Sequence, residues 1–173
     1  MLKSNVSWST NVDSYTQGKE SAEKAVVDLI QTKVAFLYTS VDCNVGNVLE
    51  GAKSVLGTAP IIGCTSSAGI ITPDGFISSD NGFTGILALG DPDLTVGVAS
   101  SPKQEDARKT GQMVAKEAMA KAGRTDSPAY FYMVASPAEE EDYIKGIEDI
   151  IGRVPVFGGS SADNTVEGKW SIY

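Results

Sequence analysis

The spacing of apolar residues changes several times along the chain, and each change marks an expected element. Between residues 14 and 31, Ala22, Ala25, Val26, Leu29 and Ile30 recur at intervals of three and four, which predicts an amphipathic helix. Residues 34–40 are almost continuously apolar, and their Val, Phe and Tyr content predicts a strand buried on both faces. A second helix is expected over 45–56, closed by Gly57, with a strand beginning at Pro60 and reaching Gly63. Residues 82–89 and 94–100 read as an antiparallel hairpin around Asp91-Pro92-Asp93, where proline suits a turn and not a ladder. Ser101-Pro102-Lys103-Gln104 has the form of a helix start, with a capping serine, proline at the first helical position and Gln three residues after the cap. That helix is expected to run to Ala122, with a stripe of small residues (Ala107, Gly111, Val114, Ala115, Ala118, Ala122) made for close packing. A strand over 129–135, a helix capped by Ser136-Pro137-Ala138-Glu139 and running to Ile151, and a strand over 154–158 follow. Trp170 to Tyr173 reads as the start of another strand.

The second run of elements copies the first. Residues 34–68 align with 129–163 without a gap at a constant offset of 95, and Phe36, Gly51, Gly57, Pro60, Gly63 and Ser66 meet Phe131, Gly146, Gly152, Pro155, Gly158 and Ser161. The matches fall on glycines and a proline, where backbone geometry is special, while Leu49/Ile144, Ala52/Ile147, Val55/Ile150 and Leu56/Ile151 preserve one helical face. The expectation is an α/β fold of two pseudo-symmetric helix-strand-helix-strand half-units with an added β-hairpin, sheet and helices in layers. At 173 residues, one domain built from both halves is the default.

Composition narrows the functional classes. Apolar residues make up 42% and charged residues 21%, and no apolar run approaches the roughly 20 residues that span a bilayer, so membrane insertion is not expected. The N-terminus has no secretory h-region, which makes cytoplasm the simplest location. A net charge of −8 without a Lys/Arg cluster argues against nucleic acid. With no histidine, the chain holds no Ser-His-Asp triad, Cys-His dyad or His-ligated zinc. Cys43 and Cys64 match no metal-ligand spacing and read as free thiols, and no cofactor or metal is expected.

Each copy closes in a polar glycine turn, Gly63-Cys64-Thr65-Ser66-Ser67-Ala68-Gly69 and Gly158-Gly159-Ser160-Ser161-Ala162-Asp163-Asn164. Right-handed crossovers place both turns at carboxyl edges of parallel strands, where open α/β sheets hold ligands. Glycines bring N–H groups close to a ligand and the hydroxyls add donors and acceptors, which suits a small carboxylate or amide compound. The candidate ligand-binding residues are therefore Cys64, Thr65, Ser66, Ser67, Ser160, Ser161, Asp163 and Asn164. A purely structural turn accounts for the same residues. Neither turn is a phosphate loop, because no lysine follows. Cys64 is a candidate nucleophile or a packing residue, and Asp163 either anchors a ligand ammonium or caps a following turn. Glu139-Glu140-Glu141-Asp142 fits the dipole at a helix start better than a metal site, and Asp74, Asp80, Asp91 and Asp93 read as turn residues.

The runs Ala59-Pro60-Ile61-Ile62-Gly63-Cys64-Thr65-Ser66-Ser67-Ala68-Gly69, Pro73-Asp74-Gly75-Phe76 and Val154-Pro155-Val156-Phe157-Gly158-Gly159-Ser160-Ser161-Ala162-Asp163 together resemble the N-terminal domain of the FIST (F-box and intracellular signal transduction) proteins. The resemblance covers the chain from about Val34 onward. It implies a non-catalytic cytoplasmic sensory module that binds a small, amino-acid-like ligand and works with a signalling-domain partner outside this chain. A cysteine-dependent enzyme using Cys64 and an interaction scaffold without a ligand are the alternatives. Family members usually continue into more of this domain and a C-terminal FIST domain, so a partial domain is expected, with a homodimer covering the sheet edge beside Trp170 to Tyr173.

Overall fold

The most continuously apolar run becomes a central strand. In the computed structural model, which describes all of residues 1–173, β2 (Val34–Ser40) is buried at six of its seven positions. It lies in a sheet with β1 (Lys3–Ser9), β3 (Ile61–Ser66) and β6 (Thr84–Gly90), in the order β1-β6-β2-β3. β2 and β3 are parallel, with Ser40 level with Ser66, and β6 is antiparallel to β1 and β2. Two helices, α1 (Ser14–Ala25) and α2 (Val45–Leu56), pack Ala22, Ala25, Val48, Ala52 and Leu56 against Ala35, Leu37, Ile86 and Ala88. On the other face a small hairpin of β4 (Ile70–Thr72) and β5 (Gly75–Ile77) sets Ile70 over Gly85. These elements form one unit, residues 1–94, 162–171 and 173.

The second unit, residues 95–161 and 172, repeats the order with α3 (Ala107–Ala122), β7 (Phe131–Ala135), α4 (Glu140–Ile151) and β8 (Val156–Ser160). β7 and β8 are parallel, and Ala115, Ile147 and Ile151 gather Met119, Phe131, Met133 and Val154 into a core. The helix pairs of both units meet through the same device. A Cβ on Gly18 would stand 2.1 Å from the Val48 carbonyl oxygen and one on Gly51 2.0 Å from that of Tyr15. In the second unit, Gly111 and Gly146 meet the carbonyls of Tyr143 and Arg108 at 2.3 and 2.0 Å by the same measure. The strand registers differ by one step: Ala35 pairs with Ile61, whereas Phe131 pairs with Val156. Phe131 thus takes the ladder position of Ala35 rather than that of Phe36.

Several expected boundaries move. The first helix stops at Ala25, with Val26 as its C-cap and Asp28 left-handed at φ 60°. Its buried face is Gln17, Gly18, Ser21, Ala22 and Ala25, while Ile30 is exposed, so the apolar stripe was only half of the packing surface. The expected hairpin partner over 94–100 is not a strand. Gly97 instead lies against α3, where a Cβ would be 1.9 Å from the Ala118 carbonyl oxygen, and β6 pairs with β1. The third helix begins at Ala107, not after Ser101, because the Asp106 carboxylate accepts from Lys109 N at 3.0 Å while the Ser101 hydroxyl donates to Pro102 O. Ser136 does not cap the fourth helix. Ala138 is left-handed at φ 79°, and the Ser136 hydroxyl bonds the Tyr143 hydroxyl at 2.9 Å. The glycine turns are shorter than expected, since β3 runs to Ser66 and β8 to Ser160.

Trp170 to Tyr173 does take up strand pairing. Gly63 and Tyr173 exchange N–H···O bonds of 2.8 and 3.0 Å, and Thr65 N donates to Ser171 O at 3.0 Å, so the segment runs antiparallel along β3. No helix is long and apolar enough to cross a membrane.

Behind the strand ends of the first unit lies a buried polar network. Gln17, with no exposed surface, accepts from the Thr84 hydroxyl (2.7 Å) and the Cys43 thiol (3.1 Å) and donates to Asn11 O (2.9 Å). Thr84 bonds Thr39 at 2.8 Å, and Ser21 donates to the carbonyls of Gln17 and Thr84. No buried side-chain polar atom lacks a partner, as a low-dielectric interior requires.

Candidate functional site

The parallel pairing of β2 and β3 brings two chain turns to one carboxyl edge. After β2, the Ser40 hydroxyl donates to the Asp42 carboxylate at 2.9 Å and accepts from Asp42 N at 3.1 Å, and Asn44 caps α2 by accepting from Asn47 N. After β3, Ala68 adopts φ 62° and the Ser66 hydroxyl donates to Gly69 O at 3.2 Å, which closes the turn. Asn164 ties the two together: its side-chain oxygen accepts from Ala68 N at 3.2 Å and its amide donates to Asp42 at 2.8 Å. A third segment, residues 78–83, folds over the edge because Gly82 is left-handed at φ 73° and passes so close to Cys43 that a Cβ would lie 2.5 Å from its sulfur.

These three segments enclose an open cleft of about 450 Å³, lined by Ser40, Asp42, Ser67, Ala68, Ser78, Ser79, Asp80, Phe83 and Asn164. Its chemistry is one-sided. Two aspartates and four serines line the space, and none of the ten ion pairs in the chain involves Asp42 or Asp80. No three acidic or cysteine side chains cluster as metal ligands. Carboxylates only accept hydrogen bonds and hydroxyls both donate and accept, so the lining is acceptor-rich and negatively charged.

Of the eight sequence-predicted residues, Ser67 and Asn164 line the cleft. Asp163 sits beside it with its carboxylate committed to the chain, accepting from the N–H groups of Thr165 (3.0 Å), Val166, Glu167 (3.3 Å) and Lys169 (2.7 Å). It therefore caps the following turn, with three of those donors on one carboxylate oxygen and one on the other. Thr65 is buried and its hydroxyl accepts from Ser171 N at 3.0 Å. Cys64 is buried under Tyr173, whose hydroxyl donates to Cys64 O at 2.9 Å, and burial pushes the thiol up to about 11. At neutral pH that thiol is protonated and a poor nucleophile. Ser160 and Ser161 belong to the second unit, where Ser160 donates to Glu140 and Ser161 to Ala135 O.

Burial pushes the Asp163 carboxyl upward, but the four backbone donors outweigh it and hold it below the ordinary carboxylate range. A depressed folded value stabilises the loop fully above the unfolded value of about 3.9, and this is lost as pH falls through the folded one. Amide exchange of Thr165, Val166, Glu167 and Lys169 is therefore expected to accelerate, relative to the strands, when acid is taken below that range. An Asp163→Asn protein should show the faster exchange already at neutral pH; unchanged exchange in both experiments would show that the carboxylate does not order the loop.

Residues 33–173 match the family model of the FIST N domain. The chain belongs to the FIST N domain family. Members of the FIST family are associated with sensory domains in signal transduction. No curated protein sequence matches the chain. The match begins at the threshold of β2, so every residue lining the cleft lies within the FIST N portion, whereas β1 and α1 precede it.

Proposed function

We propose that this FIST N domain is a cytoplasmic sensory module that binds a small amino-acid-like ligand in the cleft at the ends of β2 and β3. In this reading Asp42 and Asp80 receive the ligand's ammonium group, and the serine hydroxyls and Asn164 orient its polar remainder. The observation that carries it is the pair of carboxylates in a roomy polar cleft without a lysine or arginine to neutralise them. Asp42 is held only by neutral donors, Ser40 and Asn164, which fix its position and leave its charge uncompensated. An output domain elsewhere in the signalling assembly would read the ordering of the loops that Asn164 joins. A cysteine-dependent enzyme would have to work with a buried thiol pushed up to about 11, which favours binding over covalent chemistry.

Thermal shift and calorimetry against amino acids and their decarboxylated amines test this. A binder at 100 times its dissociation constant adds about 2.7 kcal/mol to stability. Asp42→Asn removes a charge-assisted bond of about 1.5–3 kcal/mol, so affinity should fall about tenfold to a hundredfold. A ligand that binds Asp42→Asn and Asp80→Asn proteins as tightly as the parent would overturn the assignment of the site.

A further inference from the structure

Every residue lining the cleft at the ends of β2 and β3 belongs to the first unit, so that unit alone sets its chemistry. The two charged groups come from different segments. Asp42 follows β2, and Asp80 lies in residues 78–83, which Gly82 folds over the strand ends. Both hydrogen bonds that fix the Asp42 carboxylate fall on Oδ2, from the Ser40 hydroxyl at 2.9 Å and the Asn164 amide at 2.8 Å, so Oδ1 is left to receive a guest. Asp80 is exposed and joins no ion pair. Two carboxylates without a cation in one concave space are complementary to two positive charges. Ala68 and Phe83 complete the lining with apolar surface, against which a short methylene stem packs as a lysine stem does.

The lining offers no comparable place for an anion. It holds no lysine or arginine, and Lys169, the one cation of the 162–171 segment, is paired with Glu167 at 2.6 Å. Ser40 gives its only hydroxyl hydrogen to Asp42, and the Ala68 N–H is spent on the Asn164 side-chain oxygen. Ser67, Ser78 and Ser79 supply neutral donors, and a guest carboxylate held by them would stand in the field of both aspartates. A zwitterionic amino acid thus brings a group that the cleft repels. Taking the cleft as the ligand site, as above, we propose that its ligand class is linear diamines without a carboxylate, with one ammonium on Asp42 and the other on Asp80. A monoamine reaches only one of the two charges. Because the carboxylates sit on separate segments, the bridging guest ties residues 78–83 to the turn after β2.

Calorimetry on the full chain compares matched compounds: cadaverine with free lysine, putrescine with ornithine, and cadaverine with pentylamine. Each diamine should bind at least about tenfold more tightly than its amino acid and its monoamine, and added salt should weaken the diamine more than the monoamine. Asp80→Asn and Asp42→Asn should each abolish the advantage of cadaverine over pentylamine, with circular dichroism matching the parent. Free lysine binding as tightly as cadaverine, with Asp42→Asn weakening both, would overturn the diamine class and leave the cleft as the ligand site. Failure of both compound classes to bind the parent, or cadaverine affinity unchanged in both Asn variants, would overturn the site as well. Amide exchange of the parent is a second test that needs no variant. Cadaverine should slow exchange over residues 78–83 and pentylamine should not, and equal slowing by the two would overturn the bridging arrangement.

Discussion

Alanine at Gly63 is expected to cost about 3 kcal/mol or more, the upper range for overpacking a close-fitted interior. The added Cβ would stand 1.7 Å from the Leu37 carbonyl oxygen and 3.0 Å from the Tyr173 ring. The ring could turn aside, but the carbonyl could not. Leu37 is fully buried in β2, which is hydrogen-bonded on both sides, so relieving the clash means separating β2 from β3 and undoing the strand-end geometry of the cleft. Gly159→Ala is the matched control, with open space around its Cβ. Urea unfolding of both proteins checks the expectation, and equal midpoints would show that the close approach does not constrain the sheet.

Gln17→Met should cost about 2–4 kcal/mol, although the two side chains are similar in volume and leave little cavity. The cost arises from what Gln17 holds: the buried Thr84 hydroxyl and Cys43 thiol would lose that partner, and so would the half-buried Asn11 carbonyl. Because the penalty is one of unpaired polar groups, Thr84→Val in the Gln17→Met background should recover part of it. A double-mutant cycle measures that recovery, with a coupling of about 1 kcal/mol expected. Strict additivity of the two substitutions would show that Gln17 and Thr84 do not act as a network.

Elements whose buried face is apolar were legible in the sequence, and those whose buried face is polar were not. β2 and α2 have the bounds expected for them, because β2 is a nearly unbroken apolar run and Val48, Ala52 and Leu56 repeat at the helical interval of four. β1 went unread. Its core-facing residues are Ser7 and Ser9, both buried, while Val6 points to solvent, so its alternation is inverted. The same inversion shortened α1, whose core face includes Gln17 and Ser21. The cleft was half legible for a related reason. A strand-end location follows from the parallel crossover, and it led to Ser67 and Asn164. Ser40, Asp42, Ser78, Ser79 and Asp80 come from segments whose Ser and Asp residues are equally at home in ordinary turns. The signal that could have found Asp42 was its position two residues beyond a fully buried parallel strand, at the carboxyl edge where the first turn was already placed.

The strand pairing of Ser171 and Tyr173 on β3 also sets a schedule for synthesis. The first unit is discontinuous in the chain, made of residues 1–94, 162–171 and 173, with residues 95–161 of the second unit encoded between them. At about 5–20 residues per second a ribosome needs roughly 3–13 s to make that intervening stretch. Throughout this time the outer amides of Gly63 and Thr65 have no partner, and β3 is an open edge on a nascent sheet. The 95–161 stretch of the second unit, rich in local helix contacts, is free to fold as it emerges, whereas the first must wait for a pairing more than 100 residues distant in sequence. Overexpression at elevated temperature should therefore trap this protein through the β3 edge before its chain is finished, and slowing synthesis by cooling protects only if it slows edge-to-edge encounters more than it lengthens the wait.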